Sequence, residues 1–148
     1  MKRPILLFIA LLVLGAVYYA YKSYNKPHTN VEETAAAESL TAINLFDAFD
    51  TDETAALTKY ADKVIQVNGS IFQIDLSNDA EPQVVLQGNG NNGFIRCGFK
   101  SSETDKVKRL NDNVTLNVKG LCKGFNSSEE LDLLADKDVV LSNCMIIE

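Results

Sequence analysis

KVIQVNGSIFQIDL, residues 63–76, is the stretch of sequence that decides the fold. Most of its apolar side chains occupy odd-numbered positions up to Ile71 and even-numbered positions from Phe72 to Leu76. A straight strand cannot bury both sets, because successive side chains point to opposite faces of a sheet. A strand that bends or bulges can bury both, and Gly69 is the type of residue that such a bend favours. The stretch is therefore predicted to form one long, bent strand shared by two halves of a sheet.

Four more strands are predicted after this one, and a short helix separates the third strand from the fourth. The strands span residues 83–87, 94–100, 114–123 and 139–147, and the helix runs from residue 101 or 102 through 111. Residues 88–93, GNGNNG, are predicted to form a hairpin turn, since glycine and asparagine tolerate positive φ. Five strands and one helix in this order are the arrangement of a Greek-key OB barrel. The predicted fold class is mainly β with helices.

Two short helices are predicted before the barrel, over residues 39–49 and 52–61. Ser39 can cap the first helix, and Asp50 and Glu53 have capping-box-like spacing at the start of the second. Apolar residues recur in the first helix at a spacing of three, which predicts the face that packs on the barrel. These residues are Leu40, Ile43, Phe46 and Phe49.

The residues before these helices are predicted to form a membrane anchor and a tether. Residues 5–21, ILLFIALLVLGAVYYAY, are 17 consecutive apolar or small residues, and a helix needs about 17–25 of these to cross a bilayer. We predict a transmembrane helix over residues 1–22, a flexible tether over residues 23–38 and the OB-fold domain with its helical lead-in over residues 39–148. A cleaved signal peptide is the alternative for the first segment.

The charges of the chain bear on its location and its partners. Residues 1–29 hold four basic and no acidic residues, whereas residues 30–148 hold 10 basic and 20 acidic residues. Lys2 and Arg3 before the apolar run favour a cytoplasmic N-terminus, so the protein is expected in the inner membrane with its domain in the periplasm. A net charge of −10 on the exported part is the wrong sign for a general nucleic-acid binder.

No catalytic, metal or cofactor site is predicted. The only histidine, His28, lies in the tether, which excludes activation of a nucleophile by histidine within the barrel. The acidic pair Glu129 and Glu130 belongs to a polar run typical of a solvated loop. The three cysteines lie 25 and 22 residues apart without a histidine, whereas a zinc site needs four ligands at short spacings. We expect a binding or structural role and no enzyme activity.

Two of the cysteines are candidates for a disulfide, which an exported domain permits. The third and fifth strands of an OB barrel are parallel neighbours, and Cys97 and Cys144 fall at similar depths in them with inward parity. Cys97–Cys144 is therefore the predicted pair, and Cys122 is the cysteine left over. The alternative is that all three are buried thiols acting as small apolar residues.

The candidate ligand-binding surface is the outer face of the second and third strands, which OB folds use for binding. Phe94, Arg96 and Lys100 are predicted to point outward there, a stacking ring beside two cations, as binding of a single strand requires. Lys119 and Lys123 add to a local net charge of +4 over residues 96–123. The flanking loops are acidic, at residues 79 and 81 and over residues 129–138, which would repel phosphate. An ordinary exposed strand face is the alternative.

Residues 39–148 resemble the bacterial tRNA_anti-like family of OB-fold proteins. The matching pieces come in order along the chain: Tyr60-x-x-Lys63-Val64-Ile65-x-Val67-x-Gly69, Cys97-x-Phe99, Lys119-Gly120-x-Cys122-x-Gly124 and Val140-Leu141-x-Asn143-Cys144. The resemblance implies an OB barrel and single-stranded nucleic acid as the ligand. A protein or glycan of the cell envelope is the alternative partner, which the acidic loops and the outward orientation favour.

Overall fold

The structure is a computed structural model that describes Leu14, Gly15, Tyr18 and residues 31–78, 80–90, 93–127 and 137–147. Apart from Leu14, Gly15 and Tyr18, the predicted membrane anchor lies outside the described residues, and so does the first part of the predicted tether. Within the described ranges, no helix has both the length and the apolar character needed to cross a membrane.

The described residues from 31 to 147 contain six strands, three helices and one 3-10 turn. In chain order these are β1 Ser39–Thr41, α1 Ala42–Thr51, α2 Glu53–Tyr60, β2 Val64–Asp75, β3 Gln83–Gln87, β4 Gly93–Phe99, the 3-10 turn Ser101–Glu103, α3 Thr104–Val107, β5 Thr115–Ser127 and β6 Lys137–Ile146. The five long strands match the five predicted ones, and β1 is an addition. The predicted helix after β4 ends at Val107 rather than at residue 111.

The five long strands form a closed barrel, as the sequence predicts. The strand order is β1-β2-β3-β4-β6-β5, and β2 also pairs with β5 and so closes the ring. The first part of β2, up to Ser70, pairs with β5, and the part from Ile71 onward pairs with β3. One long strand shared by two halves of the sheet is therefore confirmed.

The change of inward face along β2 occurs at a bulge rather than at the predicted glycine. The register shifts between Ile71 and Gln73, so that Phe72 is the extra residue. Gly69 pairs regularly with a residue of β5, and a Cβ on Gly69 would lie 2.7 Å from the Cβ of Ala42 in α1. Glycine is therefore required here because α1 approaches β2 closely. The change of buried face was predicted just past Gly69, and the register places the bulge three residues after this glycine, at Phe72.

The two predicted helices are present, with different first residues. Ser39 belongs to β1, and α1 is capped instead by Thr41, whose Oγ1 accepts a hydrogen bond from the backbone N–H of Asn44 at 3.1 Å. Asp52 caps α2 by accepting from the backbone N–H of Ala55 at 2.9 Å. The predicted apolar face is buried at Phe46 and Phe49 but not at Ile43, which is 49% exposed. Both phenylalanines pack against Phe125 of β5.

The second half of the predicted tether lies along the barrel. Val31 is buried and packs with Val64 of β2 and Leu121 of β5. The backbone N–H of Ala37 donates to the carbonyl oxygen of Val64 at 2.8 Å. The described part of the predicted tether, residues 31–38, therefore contacts the barrel at Val31 and Ala37. This packing was not visible in the sequence, because a single valine in a polar segment carries no periodic signal.

Candidate ligand-binding face of the barrel

The outer side of β2, β3 and β4 carries a small apolar and cationic surface, here called the binding face. Its members are Phe72, Val85, Phe94 and Arg96, with Lys100 directly after β4. The alternation of β4 sets this arrangement, since Ile95, Cys97 and Phe99 are buried in the core and their neighbours must point outward. Arg96 pairs with Val85 across the β3–β4 ladder. The predicted inward and outward sides of β4 are those observed.

Two phenylalanine rings are in contact, in a tilted arrangement, at one end of the binding face. The ring centroids of Phe72 and Phe94 are 4.8 Å apart and the planes are inclined by 39°. Phe94 is only 5% exposed, whereas Phe72 is 52% exposed. Phe94 thus lies on the predicted face but is covered, and Phe72 presents the ring to solvent. Phe72 shares its parity with Ile74 and Leu76 and was therefore predicted on the buried side, but as the extra residue of the bulge it points outward.

The cation in the middle of the binding face is paired with a buried carboxylate. Arg96 Nε lies 3.0 Å from Asp138 Oδ2 of β6, and the Asp138 side chain is nearly buried. A second carboxylate is near: the pKa of Asp75 is lowered, first by the hydrogen bond from the Ser77 backbone N–H, then by the Ser77 side chain and, more weakly, by the Arg96 charge. The charge of Arg96 is therefore largely compensated within the protein.

Lys100 lies at the end of the binding face away from the two rings. It lines a depression of about 400 Å³ between β4, the β2–β3 loop and β6. The other polar groups of this depression include the side chains of Glu81, Ser101 and Asn143. This end of the face therefore offers both hydrogen-bond donors and hydrogen-bond acceptors. It also carries one negative group, the carboxylate, and one positive group, the ammonium.

The remaining predicted contacts, Lys119 and Lys123, lie on a different part of the barrel. Both belong to β5, which is separated from β4 by β6 and from β3 by β2. Lys119 Nζ lies 3.3 Å from the carbonyl oxygen of Glu32, and Lys123 Nζ lies 3.6 Å from Asp62 Oδ1. Arg96 of β4 and Lys100 directly after it therefore belong to the binding face, whereas these two lysines do not.

Parts of the predicted acidic flanks fall outside the described residues. These are Asp79, Glu129, Glu130, Asp132 and Asp136. Asp138 is among the described residues. It belongs to strand β6 rather than to the predicted loop, and it pairs with Arg96. The acidic flank therefore contributes at least one carboxylate to the binding face itself.

The three cysteines are unbonded and buried. The pKa of the Cys144 thiol is raised well above its usual range, first by burial and then by the neighbouring Cys97 thiol. Burial raises the pKa of Cys122 to about 11. Across the described ranges, no three side chains among His, Cys, Asp and Glu are grouped closely enough to hold a metal ion.

Comparison with solved structures supports the barrel assignment. The chain is similar to a "putative nucleic acid-binding lipoprotein" from Klebsiella pneumoniae, with a TM-score of 0.56 and 15% identity over 83% of this chain and 100% of that chain. It also resembles a "putative aspartyl-tRNA synthetase" from Leishmania major, with a TM-score of 0.48 and 7% identity over 77% of this chain and 21% of that chain. At 15% identity, the likeness to the Klebsiella protein is one of fold.

Comparison with curated proteins finds no significant match. The model of the tRNA_anti-like family, in contrast, matches residues 1–138 of the chain. That match spans the N-terminal segment, the helical lead-in and the barrel up to the start of β6. The protein belongs to the tRNA_anti-like family.

Proposed function

We propose that this protein is a noncatalytic binding module that holds single-stranded nucleic acid against the binding face. The observation that carries the proposal is the half-exposed Phe72 ring in tilted contact with Phe94, on the same face of the barrel as Arg96. An aromatic ring supported from behind is a platform on which a base can stack without regard to sequence. Family membership, and the name given to the similar Klebsiella protein, support the same ligand class.

The expected affinity is low at physiological salt. Phosphate contacts supply most of the non-specific affinity for nucleic acid, and Arg96 already neutralises Asp138 at 3.0 Å. A phosphate must therefore compete with a carboxylate for the guanidinium. Lys100, at the open end of the face, supplies a second cation. We infer that stacking on Phe72 contributes a larger share of the affinity than in a strongly basic OB fold.

The proposed location is the outer side of the inner membrane, with the N-terminal segment as anchor. The apolar residues 5–21 and the basic residues before them support a spanning segment. The Klebsiella protein is named a lipoprotein, which supports an envelope location of a related barrel. Protease treatment of intact spheroplasts tests this location. Degradation of the barrel is expected, and its protection until the membrane is lysed would contradict the proposal.

The experiment that tests the proposed ligand is fluorescence anisotropy of labelled oligo(dT) and oligo(U) over a salt series. The double variant Arg96→Glu/Lys100→Glu is expected to lose binding. Its matched control is Lys119→Glu/Lys123→Glu, which changes the net charge equally on a different part of the barrel. This control is expected to retain most of the oligonucleotide binding. Equal losses in both variants would mean that only net charge matters. No binding of the unaltered protein at low salt would overturn the proposed ligand.

A protein or glycan of the cell envelope is the second candidate ligand. The observation that favours it is the compensated charge of Arg96, because a ligand without phosphates does not require a positive field. A photo-crosslinking residue placed at position 72 in intact cells separates the two candidates, with position 114 as the control, since Val114 is similarly exposed. A product sensitive to nuclease supports nucleic acid. A product that resists nuclease but is lost on protease or glycosidase treatment supports the second candidate.

A further inference from the structure

Two cysteines meet inside the barrel on neighbouring strands. Cys97 of β4 and Cys144 of β6 are almost completely buried, with at most 1% of either residue exposed, and both belong to the same core cluster. β4 and β6 are parallel, with Cys97 opposite Leu141 and Phe99 opposite Cys144. The two thiols thus share one side of one strand pair, the side that faces the core.

An irregularity in β6 is what turns Cys144 toward Cys97. Three residue steps on β6, from Leu141 to Cys144, lie opposite two steps on β4, from Cys97 to Phe99. Asn143 takes up the extra step with a φ of 53°. In a regular strand Cys144 would point to the opposite side from Leu141, because side chains alternate. The extra residue makes both point into the core.

We propose that Cys97 and Cys144 form a disulfide that joins β4 to β6 inside the barrel. The two Sγ atoms bond to each other, and the two thiols together lose two protons and two electrons. A disulfide-containing oxidant, either a small molecule or a thiol–disulfide oxidoreductase, accepts the electrons and is reduced to two thiols. The structure corresponds to the reduced form of this pair.

The third cysteine, Cys122, is not placed to form a disulfide with Cys97. Cys122 of β5 lies opposite Leu141, and Leu141 lies opposite Cys97 on the other side of β6. Cys122 and Cys97 are therefore two strand spacings apart, about 9–10 Å, which is beyond the Cα separation that a disulfide allows. We expect Cys122 to remain a free thiol in both redox forms.

The bridge forms while the chain folds, and not afterwards. Disulfide exchange requires a thiolate that can reach the oxidant. In the closed barrel both thiols are buried, and burial holds Cys144 in the protonated form. An oxidant therefore reaches the pair only before the barrel closes. For the same reason, the bridge in the folded protein resists reduction.

The test is refolding of the full-length chain, in detergent, from denaturant into a glutathione redox buffer or into dithiothreitol. Free thiols are then counted by alkylation in denaturant, and the bridge is located by mass spectrometry of a non-reduced digest. One alkylated cysteine, Cys122, and a linked Cys97–Cys144 peptide are expected from the redox buffer. Three alkylated cysteines, or a bridge that includes Cys122, would overturn the proposal.

Single variants and a timing experiment complete the test. Cys122→Ala is the matched control and is expected to form the bridge fully, whereas Cys97→Ala is expected to leave two free thiols. The oxidised protein should melt about 10 °C above the reduced protein, and the Cys97→Ala variant should melt at the same temperature in both buffers. Folded, reduced protein exposed to oxidised glutathione should keep three thiols for much longer than refolding protein does. Equal oxidation rates would overturn formation during folding.

Discussion

The rings of Phe72 and Phe94 are in contact, with centroids 4.8 Å apart and planes inclined by 39°, and Phe94 is almost completely buried while Phe72 is half exposed. Phe72 is the extra residue of a bulge in β2, and Phe94 is the outward residue next to Ile95 of β4. The bulge thus adds a second ring to the outside of the barrel. It places an apolar, rigidly supported surface beside the only cation of β4, Arg96.

Removal of the outer ring should weaken nucleic-acid binding. Phe72→Ala is expected to reduce the affinity for oligo(dT) about tenfold, because stacking of one base on an aromatic side chain contributes about 1–3 kcal/mol. Phe72→Tyr should retain most of the affinity, and anisotropy measures both. Val114→Ala, which truncates another apolar side chain that is 48% exposed, is the control. An unchanged affinity of Phe72→Ala would exclude the ring as the binding platform.

Removal of the carboxylate beside Arg96 should strengthen binding. In Asp138→Asn the guanidinium keeps a hydrogen-bond acceptor but is no longer neutralised, so the affinity for oligo(dT) is expected to rise about three- to tenfold at low salt. The dependence on salt should become steeper. Asp50→Asn, which removes the exposed partner of Lys137 at 2.7 Å, changes the net charge equally and serves as the control. A weaker affinity of Asp138→Asn would show that the ion pair itself shapes the site.

A methyl group at Gly69 should destabilise the packing of α1 on β2. The added Cβ would lie 2.7 Å from the Cβ of Ala42, so one element must shift, and overpacking of this kind costs about 1–3 kcal/mol. Urea denaturation measures the change in the free energy of unfolding. Gly98→Ala is the control, because its nearest atom, the carbonyl oxygen of Leu141, is 3.7 Å away. Equal stability of the two variants would contradict the close approach.

The stability of the reduced protein should fall at high pH. Burial raises the pKa of Cys122 from 9.0 to about 11, so above pH 9 the unfolded chain loses the proton while the folded protein keeps it. The free energy of unfolding therefore declines between about pH 9 and 11, by up to about 2 kcal/mol from this thiol. Denaturation with dithiothreitol present measures the decline. Cys122→Ala should show a shallower decline, and an identical slope in both proteins would refute the assignment.

Much of the barrel could be predicted because its strands carry local signals. The bounds of β3 were predicted to the residue, since Pro82 precedes it and a glycine-rich turn follows it. The inward side of β4 followed from its alternating apolar residues. The helices before the barrel were predicted, but the residues that cap them were not. Several capping residue types occur near each start: Ser39, Thr41, Asp50 and Asp52. Only the pairing of β1 with β2 excludes Ser39 as a cap.

The binding face was predicted less completely. Phe94, Arg96 and Lys100 follow from the parity of one strand, and the structure keeps them on one side of the barrel. The cover of Phe94 by Phe72, and the pairing of Arg96 with Asp138, join residues that are 22 and 42 positions apart. No local pattern encodes such contacts. Lys119 and Lys123 were grouped with the face by charge alone, and the strand order separates them from it.

The sequence by itself determined the order of the five barrel strands, the inward side of each alternating strand and the need for β2 to change its buried face. These depend on the period of apolar side chains, which is a property of neighbours along the chain. Only the tertiary structure decided where that change occurs, which ring reaches solvent and which carboxylate meets Arg96. A bulge moves every later residue to the other face, so its position depends on how β2 meets β3, β5 and α1, and not on the residues of β2 alone.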